Sequence, residues 1–139
     1  MVEKAVKEWG ATGLKVYPPN GFAPDDPVAY PMYEKAVELD VPILIHTASN
    51  EQVRQSWPRG VAKVAWDFPT LRILTGHVNL QRHLRTDAYR EGLNAAQPHP
   101  NIYLDLCDCR ALGALDEANI PTLLRVIREF LNLVGLERI

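Results

Sequence analysis

Apolar residues arrive along this chain in four short, partly β-branched runs at nearly equal intervals. The runs begin at Gly13 (GLKVY), Pro42 (PILIH), Leu71 (LRILTGH) and Asn101 (NIYLDL), 29, 29 and 30 residues apart. Each has the length and composition of a buried strand, which predicts strands over 13–17, 42–46, 71–76 and 101–106. The interval is what one strand, one loop and one crossover helix require.

The segments between the runs carry helical periodicity. Val2, Ala5, Val6 and Trp9 form an i, i+3, i+4, i+7 stripe ahead of the first strand. Tyr33, Ala36, Val37 and Leu39 form a second, with Pro31 suited to its first turn. Val61, Val64, Ala65 and Phe68 form a third. Leu123, Val126, Ile127, Phe130, Leu131 and Val134 form a fourth, stopped by Gly135. The stretch from Leu80 to Ala96 is helical but more polar, so a surface position is expected for it.

Strands alternating with helices imply an α/β fold with a parallel sheet and right-handed crossovers. Runs such as ILI and RILT suit strands covered on both faces. Two architectures compete: a small doubly wound sheet, or part of a (β/α)8 TIM barrel. Four strands are complete, and Glu137-Arg138-Ile139 reads as the start of a fifth. A full barrel takes eight strands and about 250 residues. The 139 residues are therefore expected to form a single, partial barrel domain over 1–139.

Composition narrows the function classes. At 47% apolar and 23% charged residues the chain is an ordinary globular one, neither disordered nor fibrous. A net charge of −2 argues against nucleic acid or an anionic membrane as partner. No apolar run nears the roughly 20 residues of a membrane span, and Met1-Val2-Glu3-Lys4 lacks the apolar core of a signal peptide. The cysteines, Cys107 and Cys109, are too close in sequence to favour a bridge. A cytoplasmic protein with free thiols is the expectation.

Candidate chemistry gathers at the carboxyl ends of the predicted strands, where parallel α/β folds place their sites. The first end offers Lys15 and Tyr17, the second His46 and Thr47, the third His77, and the fourth Asp105 and Asp108. A lone strand-end histidine more often packs or hydrogen-bonds than ligates. Two at matching positions of successive units, 31 residues apart, favour a shared ion or substrate. Lys15 reads equally as a solvated or ion-paired residue, and Asp105 as a backbone partner. The Cys107-Asp108-Cys109 run has thiol ligands but no second pair, and buried thiols are the plainer reading. His83 and His99 fall in helix or loop context without a role. The Pro18–Pro27 loop either walls a pocket or simply connects, with Asp26 capping the next helix and Pro27 opening it. No glycine-rich phosphate fingerprint follows any strand.

Taken together, GLKVYPPNGFAPDDPVAYPMYEKAVELDVPILIHT, DFPTLRILTGHVN, HPNIYLDL and the final GLERI resemble, in consecutive order, the amidohydrolase-related metal-dependent hydrolases. That group includes the aminocarboxymuconate-semialdehyde decarboxylase type. The resemblance implies a (β/α)8 barrel binding a divalent metal, with zinc the expected ion, and hydrolysis, decarboxylation or hydration of a small carboxylated or ring substrate. It places the four runs on barrel strands four to seven, with Glu137-Arg138-Ile139 opening the eighth. His46 then matches a metal-ligand histidine, and His77 the catalytic histidine that handles a water or assists the substrate. Lys15, Tyr17 and Asp108 are the expected substrate contacts. Lys15 falls where related subgroups carry a carboxylated lysine.

The departures matter as well. The family's first-strand His-x-His pair has no counterpart here, nor has the aspartate after its last strand. One of the usual four protein ligands remains, and catalytic zinc takes three plus water. The chain is therefore expected to be a fragment, binding metal weakly alone. Its exposed sheet edges predict a homo-oligomer or a complementing chain as partner. A non-catalytic α/β remnant and a complete doubly wound domain remain the alternatives.

Overall fold

The structure, a computed structural model, describes residues 1–47, 55–77, 89–106 and 120–139. Nine regular elements alternate along it: α1 (Val2–Lys7), β1 (Leu14–Val16), α2 (Tyr30–Glu38), β2 (Ile43–His46), α3 (Pro58–Asp67), β3 (Ile73–Gly76), α4 (Tyr89–Ala96), β4 (Ile102–Asp105) and α5 (Ile120–Val134). The strands are those the apolar runs predict, each shortened at its ends. They pair in parallel in the order β1-β2-β3-β4. Chain order without a reversal point is barrel order, and it removes the doubly wound alternative. The fold is a partial (β/α)8 barrel.

Register follows from the repeat. Leu14, Ile43, Ile73 and Ile102 lie in one row across the sheet, and Val16, Ile45, Thr75 and Leu104 in the next such row. These residues turn to the helices and are buried, apart from the half-buried Leu14. Tyr33, Ala36, Val61, Val64, Leu93, Val126 and Phe130 cover them. Strand side chains alternate faces, so Lys15, Leu44, Leu74 and Tyr103 share the opposite face. That face is only partly covered, unlike the two-sided burial expected of ILI and RILT. It is the inner face of a barrel of which four strands are present. A cavity of about 770 Å3 runs along it, lined by Leu74, Tyr103, Asp105, Leu106 and Ile139 among others.

Three local features differ from the sequence-based expectation or settle it. The described half of the polar 80–96 stretch buries Tyr89, Gly92, Leu93, Ala95 and Ala96, where α4 packs against α3 and α5. Its small residues admit close neighbours, and its polarity resides on Arg90, Glu91 and Asn94, which face outward. The expected fifth-strand start is instead a 3-10 turn over Leu136–Arg138. Gly135 turns the chain at φ 83°, and Arg138 ties the turn to the carbonyls of Val134, Ala96 and His99. The loop after β1 is a connector. Asp26 accepts from the Val28 N–H at 3.0 Å and caps a short turn opened by Pro27, and Tyr33 donates to the Pro24 carbonyl at 2.8 Å.

Candidate active site

The carboxyl ends of β1, β2 and β3 bring four of the expected residues together. Tyr17 follows β1, His46 ends β2, and His77 follows β3. The His46 and His77 rings meet edge to face, with centroids 5.0 Å apart and planes at 75°. The Tyr17 ring lies on the other side of His46 at 4.8 Å, tilted by 47°. His77 holds φ at +78°, a left-handed conformation uncommon for a residue with a Cβ. Such strain gathers at functional sites, where surrounding structure enforces it.

Lys15 starts two strands away from β3 yet reaches it. A Cβ added at Gly76 would lie 3.4 Å from the Lys15 Nζ. Gly76 pairs in register with His46 on one side and Asp105 on the other. His46, Gly76 and Asp105 thus form the strand-end row above Lys15, Leu44, Leu74 and Tyr103. The sequence does carry a signal for Gly76, because its spacing from His46 and Asp105 is the strand repeat itself. A glycine is easily passed over when side-chain chemistry is the search criterion.

Electrostatics set the protonation of His46. Burial, then the neighbouring His77 imidazole, then the Lys15 ammonium push its pKa down to about 4. It is a neutral imidazole with a lone pair near pH 7, the form that ligates metals or accepts a proton. Among the described residues no group of three or more His, Cys, Asp or Glu side chains converges on one point. The pair fits one ligand and one proton carrier, and falls short of a complete shell. Asp108 lies outside the described residues, as do Cys107, Cys109 and His83. His99 sits ahead of β4, away from the His46 end, with its ring 6.3 Å from Trp66.

A parallel, sequentially ordered sheet with its polar cluster on the carboxyl rim defines part of a TIM-barrel protein of the hydrolase superfamily. The chain belongs to the amidohydrolase family, whose model matches residues 2–139. Three solved structures share the fold. An uncharacterized TIM-barrel protein from Bordetella bronchiseptica aligns at a TM-score of 0.63 and 19% identity, covering 84% of this chain and 42% of that one. 4-Oxalomesaconate hydratase from Rhodopseudomonas palustris aligns at 0.55 and 24%, covering 91% and 42%. Dihydroorotase from Campylobacter jejuni aligns at 0.53 and 21%, covering 76% and 31%. The chain thus spans under half the length of these structures. No curated protein matches it. Among the described residues no helix is long and apolar enough to cross a membrane.

Proposed function

We propose that the rim of β1 to β3 is part of an enzyme active site for a metal-dependent reaction on a small carboxylated or ring substrate. The observation that carries the reading is the edge-to-face pairing of His46 and His77, with His46 held neutral. His46 would hold a divalent metal, with zinc the expected ion, and such an ion supplies an activated water at neutral pH. His77 stands beside it to take up and return the proton. Lys15 would pair with a substrate carboxylate, and Tyr17 would stack on a planar substituent. Asp108 is a further proposed substrate contact. Hydrolysis, decarboxylation of the aminocarboxymuconate-semialdehyde type and hydration all use these parts.

The remaining metal ligands, on this reading, come from outside the described residues or from another copy or a complementing chain. The partly covered inner face supports such a partner, since apolar surface of that kind favours association. A cytoplasmic setting completes the proposal.

Calorimetric titration with zinc tests it. The purified chain should bind zinc weakly, and His46→Ala should abolish the binding that remains. Tight stoichiometric binding lost in His46→Ala would place further ligands within this chain or its dimer. Equal binding by variant and wild type would overturn the assignment of His46.

A further inference from the structure

Gly76 occupies the middle of the strand-end row and is buried. Its missing side chain leaves a notch between His46 and Asp105. A methyl group there would meet the Lys15 Nζ at 3.4 Å, the Ile45 carbonyl at 3.6 Å and the Leu44 Cδ1 at 3.6 Å. Those are ordinary van der Waals distances, so the notch is closed on these sides and still large enough for a small group.

Lys15 gives the notch its charge. The side chain is exposed and crosses Leu44 to reach β3. It forms no ion pair among the described residues. An ammonium held over bare backbone, beside two imidazoles, attracts an anion. Asp105 closes the row on the β4 side, so a second negative charge directed that way is repelled. Tyr17 stands on the far side of His46 with 45% of its surface exposed, open to a planar group.

We propose that Gly76 is the specificity-determining position of this site: the notch at Gly76 seats a single carboxylate of the ligand against the Lys15 ammonium. The inference rests on reading the rim as a ligand site, and it narrows the ligand class to compounds presenting one carboxylate at this end. A larger residue at 76 fills the seat. A neutral amide of the same shape leaves the ammonium unpaired.

NMR titration of the purified chain with benzoate and with its neutral isostere benzamide tests the seat. Benzoate should bind at least tenfold more tightly than benzamide. Lys15→Met should erase that preference, Lys15→Arg should keep most of it, and Gly76→Val should weaken benzoate at least tenfold. Should Gly76→Val fail to fold, Lys15→Met decides, because its side chain is exposed. Equal binding of benzoate and benzamide, or benzoate binding unchanged in Lys15→Met, overturns the proposal. Zinc titration of the same variants separates the two readings. Lys15→Met should keep the wild-type response to zinc, and His46→Ala should lose zinc while keeping its preference for benzoate.

Discussion

Thr47 ties the end of β2 to Gly76 at the end of β3. Its backbone N–H and its hydroxyl both donate to the Gly76 carbonyl, at 3.1 and 2.8 Å. Thr47 is 1% exposed, so both bonds form away from water. The residues on either side of this clasp are His46 and His77, and the clasp holds their rings in contact.

Thr47→Val keeps the shape and the backbone bond and removes the hydroxyl. A loss of about 1 kcal/mol is expected from one net hydrogen bond. Urea unfolding measures it. Ring-proton contacts between His46 and His77 should weaken in the same variant, and a pair left undisturbed would show that the clasp does not position them.

The positive φ of His77 separates backbone strain from side-chain contacts. Glycine accepts this conformation without a Cβ clash, whereas a β-branched residue resists it. His77→Gly should therefore be more stable than His77→Val by about 1–3 kcal/mol. The reverse order in thermal melts would mean that the backbone at 77 is relaxed.

His46 makes stability depend on pH. Its folded pKa, about 4, lies below its ordinary value. Between those values the unfolded chain binds more protons, so stability falls as pH drops from about 6.5 towards 4 and levels off below. Solvent screens this half-exposed ring, which reduces the effect to about 1 kcal/mol. His46→Gln should flatten that part of the pH–stability curve. An unchanged slope would assign it to other groups.

Asn101 joins α3 to the start of β4. Its Nδ2 donates towards the carbonyls of Ala65, Phe68 and Leu71, at 3.3, 3.0 and 3.0 Å. Asn101→Ala leaves partly buried carbonyls without this donor, and a loss of about 1–3 kcal/mol is expected. Asn101→Asp should be no better, since a carboxylate cannot donate. Denaturant midpoints of the two variants check both statements.

Much of this architecture is local and was legible in the residues. The runs at Gly13, Pro42, Leu71 and Asn101 set four strands, and the stripes around Tyr33, Val61 and Val126 set helices, because apolar periodicity reports which face of an element meets a core. The Asp26 cap is a short-range bond readable from Asp-Pro. The equal repeat also places His46 and His77 at one rim. Other features are relations between distant segments, and only tertiary structure decided them. The small residues of α4 became core because α3 and α5 enclose them. Arg138 bound carbonyls of Ala96 and His99 and held the last turn in 3-10 form. Lys15 reached Gly76 only because β2 between them presents the low Leu44 on the same face. A strand's sequence sets its own alternation of faces, but which side chain spans to the next strand but one, and which glycine lies open beneath it, depends on register and twist that no single segment contains.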